Sequence, residues 1–412
     1  MVTTGFIRQD SGALKNQLLL KEQNLKLLFD LIMTKGEISR AALTSMTGLS
    51  PTTVSSLTGE LLESGLIIKS GIDKSRAIGR KALLFRVNAK RLQIPTFAFE
   101  QFGLRYALYD LAFNELESNY FPIKEGDSDY IKNLPKFVKE SSKLLDHSRS
   151  GAVCVILPAI VDLKGHKIIS TVLNIKTQSD FFESIGEIFK TRPIIVGNES
   201  AFYAYAEKEF VIGGEVENLI YVNINVGVGA GLIYQGKIFR GSFGMAGEFG
   251  HTSVDMEGPQ CVCGNRGCLE RLINTTQIVE RVKKTKEGEL SGEELGALTF
   301  DGVARLFLDG DSKVVTVMEE VASIIAFGIK NILRIFDPEV VVIGGGVEIF
   351  GPRFLEMVKQ ELANGGTSLI AIEAEVRYTE LTIACKNRGA AKYYTDNLMH
   401  IIEQGEEEII FC

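Results

Sequence analysis

Apolar side chains at Leu25, Leu28, Phe29 and Ile32 recur at helical spacing and predict an amphipathic helix that ends near Gly36. A short helix over residues 38–43 follows, with Ser39 as its N-cap, and Gly48 then breaks the pattern. Ser50 and Pro51 suit the cap and first turn of a third helix. On it Val54, Leu57 and Leu61 point one way, leaving Thr52, Thr53, Ser55 and Ser56 on the other faces. Residues 66–68 start a strand, and Leu83, Phe85 and Val87 alternate as a returning one. From Pro95 onward strands alternate with helices, an α/β pattern. Two strands flank the glycine run 225–231, a helix covers 271–285, and a Lys/Glu/Gly-rich surface connection reaches about 298. An apolar helix over 315–336 is stopped by Asp337-Pro338-Glu339, and Val340 to Ile343 form a buried strand running into the glycines 344–346. A closing helix spans 385–398, and the acidic residues 403–412 read as a frayed tail.

Helix, short helix, glycine turn, helix is the helix-turn-helix order, whose last helix enters a major groove with its N-terminal end. The hairpin after it, with Lys69, Lys74, Arg76, Arg80 and Lys81 around its loop, reads as a wing. Charge changes the picture. A net charge of −7 over 412 residues argues by itself against nucleic acid. Residues 1–95, however, hold 14 basic and 7 acidic side chains, a net of +7, which leaves −14 for the rest. A basic N-terminal module on an acidic body is the asymmetry of a chain that meets DNA through one end. Arg40, Ser50, Thr52, Thr53, Ser55, Ser56, Arg80 and Lys81 are the candidate DNA contacts. Their hydroxyls reach phosphates and base edges but discriminate bases weakly. A solvated hairpin, or a basic bundle for protein contacts, is the bland alternative. With 45% hydrophobic and 24% charged residues, the chain has a globular composition and the length for two or three domains. It contains no apolar run long enough to span a bilayer.

The chemistry concentrates in residues 247–270, which hold His251, Cys261, Cys263 and Cys268. One imidazole and three thiolates are the donor set of a closed structural zinc site, one ion per chain. Glycines at 258, 264 and 267 allow the turns that bring near neighbours to one ion. A disulfide or three ordinary thiols is the alternative. The chain opens with no secretory signal and has few cysteines elsewhere, so a reducing, cytoplasmic setting is expected and disulfides are disfavoured. Glu248 and Glu270 flank the ligands, so a metal that pins this loop also fixes two carboxylates suited to sugar hydroxyls.

Glu-x-Gly-His at 248–251 and Cys-x-Cys-Gly-x-x-Gly-Cys-x-Glu at 261–270 resemble the ROK family, which contains sugar-responsive repressors and sugar kinases. Weaker blocks extend the resemblance over nearly the whole chain. One is Gly79-Arg80-Lys81, similar to the family's wing tip, where an arginine enters the minor groove. The resemblance implies a winged helix-turn-helix domain over 1–92 and an actin-like (ribonuclease H-like) α/β body over 93–412. That body has two lobes, one of about 93–205 plus 385–404 and one of about 206–384, with a ligand cleft between them. It also implies a cytoplasmic transcription factor, most simply a repressor of carbohydrate genes, that acts on operator DNA as a homodimer or dimer of dimers and answers to a sugar. Asn198, Glu199, Glu248, His251 and Glu270 are the expected sugar ligands, His251 giving one nitrogen to zinc and the other to a hydroxyl.

Two departures argue against kinase activity. Where the family's kinases carry an Asp-x-Gly-Gly phosphate turn, this chain has Glu100-Gln101-Phe102-Gly103, and Phe102 is expected to block a nucleotide. Glu199 stands in place of the catalytic aspartate, and general-base chemistry is sensitive to the extra methylene. The glycine run 225–231 matches a second phosphate-type loop, and Asn198 with Glu199 also reads simply as a helix cap. The competing functions are a sugar kinase that keeps a DNA-binding domain and a regulator controlled by a protein partner.

Overall fold

The computed structural model describes residues 10–73, 82–123, 130–141, 143–146, 148–162, 167–171, 173, 181–189, 193–213, 215–364, 373–382, 384–398 and 409–411. Among these no helix is long and apolar enough to cross a membrane.

Helix Asp10–Lys35 buries Leu28, Phe29 and Ile32 against helices Arg40–Thr47 and Pro51–Glu63. Both expected N-caps form: Ser39 Oγ accepts from the Ala42 amide at 3.3 Å and Ser50 Oγ from the Thr53 amide at 3.1 Å. Gly48 ends the middle helix at φ 69°, the left-handed conformation glycine adopts without strain. Ile38–Ser39 is a short strand rather than helix, paired with Leu84 and Phe85, because that pairing buries Ile38 before Ser39 turns the chain into the helix. It completes a three-stranded sheet with the wing strands Ile67–Ile72 and Leu83–Val87. The wing tip 74–81, with Arg80 and Lys81, lies outside the described residues.

The body holds two larger sheets. The first has six strands in the spatial order Ile409–Phe411, Ile194–Asn198, Val153–Leu157, Gln93–Glu100, Gly103–Asp110 and Glu115–Pro122. Its first four strands are parallel and the last two antiparallel. Alternate residues serve opposite faces. Phe97, Phe99, Val153 and Val155 pack beneath helices Tyr130–Ser141 and Phe181–Ile188, while Ala98, Cys154, Ile156 and Ile195 face helix Cys385–Asp396. Burial on both faces explains the near-continuous apolar text of these strands. The tail read as frayed contributes an edge strand instead, Ile409–Phe411 pairing in parallel with Ile194 to Val196. The edge of strand Ile194–Asn198 receives its backbone.

The second sheet has five strands, in the order Lys237–Ile238, Val228–Tyr234, Leu219–Ile224, Val340–Gly344 and Glu375–Tyr378. Helix Ser312–Phe336 covers one face and helix Glu199–Glu207 the other. Two local readings need correcting. Asn274 caps a new helix, Thr275–Thr285, and so splits the expected 271–285 segment. The surface connection before 298 contains helix Gly292–Ala297, closed by a Ser291–Glu294 capping box.

Helix Glu199–Glu207 spans the expected lobe boundary near 205 and packs both ways. Phe202 enters the core of the first sheet, whereas Tyr203, Ala204 and Tyr205 join that of the second. Helix Cys385–Asp396 lies directly on it: a Cβ on Gly389 would stand 2.2 Å from the Phe202 carbonyl. A π turn, Lys208–Ile212, follows, and Phe210 meets Phe113 at 5.7 Å between ring centroids.

The N-terminal module is not an appendage. One continuous apolar core runs from Phe29 and Phe85 through Tyr109 and Ile156 to Ala390 and Tyr394. At its edge Lys392 pairs with Glu209 at 3.0 Å and with Asp396, to which the Tyr205 hydroxyl donates. Asp30, on the first helix, faces this group. Burial pushes its carboxyl up to about 6, and the Asp396 charge adds to the rise while Lys392 and Lys26 oppose it. A carboxyl raised above its unfolded value opposes folding once ionised, so its cost is absent below about pH 4 and complete above about pH 6. Asp30→Asn should therefore stabilise the protein by about 1–3 kcal/mol at pH 8 and by nothing at pH 4. Chemical denaturation at the two pH values measures this, and equal effects at both would contradict it.

Candidate ligand cleft and metal centre

After strand Lys237–Ile238 the chain enters a loop that folds back on itself through the Val254 amide to Gly267 carbonyl and Leu269 amide to Thr252 carbonyl bonds, at 2.9 and 3.0 Å. This ladder pairs Ser253 with Cys268, whose Sγ lies 3.5 Å from the His251 carbonyl. Gly267 sits at φ 59°, where a Cβ would stand 1.7 Å from the Asp255 carbonyl, so the crossing requires glycine. His251 Nδ1 lies 3.6 Å from Cys261 Sγ, and Cys263 Sγ lies 3.5 Å from Cys268 Sγ. All four donor atoms fall within 4.8 Å of one another. Ligands about 2.3 Å from an ion at tetrahedral corners stand roughly 3.8 Å apart, so the set fits one metal ion of zinc's size. The cysteines here are free thiols.

A cavity of about 210 Å³ opens beside this loop, between the ends of the two large sheets, and all five expected sugar ligands line it. They differ in what they have left to offer. Asn198 is the N-cap of helix Glu199–Glu207: its Oδ1 accepts from the Ser200 amide at 2.8 Å and its Nδ2 donates to the Ala159 carbonyl at 3.1 Å. The capping reading thus holds, and the side chain spends its amide inside the protein. Glu270 Oε2 accepts from the Val228 amide at 2.9 Å. The Glu248 carboxyl has no hydrogen-bond partner among the described residues, and burial, with the Glu270 charge, raises it to about 7. With Nδ1 turned to the sulfurs, the remaining His251 nitrogen is the one free for the cavity.

Glu199 is deeply committed. Its Oε1 accepts from Asn223 Nδ2 at 3.2 Å and its Oε2 from Lys386 Nζ at 3.1 Å. Lys386, only 2% exposed, also pairs with Glu100 at 3.0 Å, and Glu100 in turn takes Arg105 at 2.8 Å. Glu100, Glu199, Asn223 and Lys386 line a second cavity of about 170 Å³, which shares Pro158, Glu199, Asn223 and Gly227 with the first. Phe102 lies on its wall, on a tight turn whose Glu100 and Gln101 carbonyls accept from the Tyr130 hydroxyl. Lys386, Arg105 and Asn223 were not among the residues the sequence singled out. Lys386 and Glu199 are 187 positions apart, and no local spacing links them.

In the N-terminal module Ser50, Thr52, Ser55 and Ser56 are exposed at the start of helix Pro51–Glu63, with Thr53 half-buried beside them. Ser50 and Thr53 hydroxyls lie 2.8 Å apart, a bond they can exchange for one to an outside partner. Arg40 is half-buried and stands apart from these hydroxyls. Its Nε donates to Thr58 Oγ1 at 2.6 Å and its guanidinium stacks over the Phe85 ring at 5.1 Å, so it braces the module from within.

Comparison with known proteins adds to this geometry. The ROK family pattern matches residues 103–384. A xylose repressor of Caldicellulosiruptor bescii is 29% identical over 354 residues, covering 84% of this chain and 88% of the relative. The Escherichia coli DNA-binding transcriptional dual regulator NagC is 29% identical over 336 residues, covering 80% and 82%. Among solved structures, a ROK family transcriptional regulator homologous to the E. coli MLC protein superposes with TM-score 0.78 at 24% identity, over 93% of this chain and 98% of its own. A ROK glucokinase from Streptomyces griseus, solved with glucose and AMPPNP, reaches 0.63 at 21% identity over 73% of this chain and 98% of its own. These likenesses establish the actin-like α/β fold of the body.

Proposed function

Because the chain belongs to the ROK family, we propose that it is a sequence-specific transcriptional repressor of carbohydrate-utilisation genes, controlled by a sugar bound in the cleft. One observation carries this reading: a helix-turn-helix module and a carboxylate-lined cleft share a single folded body. A relative named as a repressor and one named as a DNA-binding transcriptional dual regulator, each aligned over more than four fifths of its own length, support it.

In this reading residues 1–92 bind DNA and 93–412 bind the effector, as a homodimer on a two-fold related operator in the cytoplasm. Thr52, Ser55 and Ser56 meet the major groove with Ser50 and Thr53, and the wing tip brings Arg80 and Lys81 to the backbone or minor groove. Glu199, Glu248, Glu270 and His251 bond sugar hydroxyls, and Asn198 holds the helix that carries Glu199. His251 Nδ1, Cys261, Cys263 and Cys268 would hold one structural zinc ion, which cross-links the loop on which Glu248 and Glu270 stand. The sugar can shift DNA affinity only by binding one lobe arrangement better than the other.

Lys386 supports a non-enzymatic function. Its ammonium lies between Glu100 and Glu199, so the carboxylate in the catalytic-base position is already neutralised. Fluorescence anisotropy with a labelled fragment from upstream of the gene tests the reading. Salt-dependent binding should weaken about tenfold or more with one sugar of a panel, a shift of about 1.4 kcal/mol. Operator affinity unchanged at saturation by every sugar that binds would refute effector control. Sugar-dependent release of ADP from ATP would refute the non-enzymatic assignment.

A further inference from the structure

Resting on the sugar-effector reading, we infer that the effector is a neutral, unphosphorylated sugar, because Lys386 and the glycine loop close the adjoining cavity to phosphate. The two contiguous cavities present four carboxylates, those of Glu100, Glu199, Glu248 and Glu270. Two basic side chains line the cavities, Arg240 in the first and Lys386 in the adjoining one, and Lys386 is spent on Glu100 at 3.0 Å and Glu199 at 3.1 Å while its ammonium also sits 5.7 Å from the Tyr203 ring centre. Arg105 is spent on Glu100 through two bonds, at 2.8 and 3.2 Å.

Three backbone donors of the glycine loop are committed too. In the glycine loop the Asn225 amide donates to the Gly227 carbonyl, the Val226 amide to Asn225 Oδ1 and the Val228 amide to Glu270 Oε2, all at 2.9 Å. A phosphate cradle works by turning such amides toward the anion, and here these three point back into the protein. A phosphoryl group entering beside Glu199 would have to draw Lys386 from two buried carboxylates or sit against them, and either course is unfavourable. Neutral hydroxyls meet no such opposition. Each can donate to a carboxylate and accept from the free His251 nitrogen.

The test is isothermal titration calorimetry of the full chain with three pairs: xylose and xylose 5-phosphate, glucose and glucose 6-phosphate, N-acetylglucosamine and its 6-phosphate. In whichever pair binds, the neutral sugar should be tighter than its phosphate by about tenfold or more. Inorganic phosphate should not compete with it. In Glu100→Gln/Glu199→Gln, where Lys386 loses both partners, the ratio should move toward the phosphate about tenfold or more. A phosphate that binds the native chain as tightly as its sugar overturns this inference and leaves sugar control standing. Failure of every member to bind, with operator binding intact, removes sugar control itself and this inference with it.

Discussion

Cys268→Ser should lose the bound metal, falling from about one zinc per chain to well below one by elemental analysis, and should weaken sugar binding about tenfold to a hundredfold. Cys268 is fully buried, and its sulfur lies 3.5 Å from Cys263 Sγ. A serine hydroxyl there is a poor zinc ligand and no substitute for a thiolate. Zinc-finger peptides draw about 10–16 kcal/mol from their ion, but this loop leans on a lobe with its own apolar core, which includes Phe249 and Leu269, so the lobe should remain folded. What is lost is the cross-link that fixes Glu248 and Glu270. The N-terminal module packs with the other sheet, and operator binding without sugar should survive. Undiminished zinc in the variant would contradict the ligand assignment, and lost operator binding would contradict the local character of the damage.

Lys386→Met should cost about 3–5 kcal/mol of stability at neutral pH, since removing one partner of a buried ion cluster leaves the others charged and uncompensated. Burial alone would raise the Glu100 carboxyl, but the Arg105 hydrogen bond and the Lys386 and Arg105 charges hold it below its ordinary value. A carboxylate so depressed stabilises the fold above its unfolded value, and that contribution disappears as the pH falls through the folded one. The native chain therefore loses the benefit of the cluster in acid, while the variant sheds its penalty as Glu100 takes up a proton. The difference between them should shrink from pH 7.5 to pH 4. Urea denaturation at both values reads it, and a constant deficit would sink the electrostatic account.

How much of this was legible in the sequence depends on distance along the chain. His251, Cys261, Cys263 and Cys268 fall within eighteen residues, and local turns alone bring them together. The helix-turn-helix was legible for the same reason, through Ser39, Gly48, Ser50 and the apolar spacing of Val54, Leu57 and Leu61. Arg40 shows the limit. Whether an arginine reaches outward or folds back depends on Thr58 and Phe85, which no spacing rule places beside it. Lys386 was illegible because its partners sit on a strand and a helix from distant parts of the chain. Residues 409–411 were hidden by their acidic neighbours, and only the free edge at Ile194 explains them.

The core shared by the N-terminal module and the first sheet makes the reading head of this protein hard to transplant. A cassette joined by a polar linker can be exchanged between relatives by cutting the linker. Here the cut would pass through a packed interior, exposing Phe29 and Ile32 on one side and Tyr109 and Tyr394 on the other. A chimaera with a new operator preference would have to match its first helix to the charges of Lys392, Asp396 and Glu209 that Asp30 now faces. Operator choice and effector choice are therefore inherited as one unit, and drift at this seam is constrained from both sides.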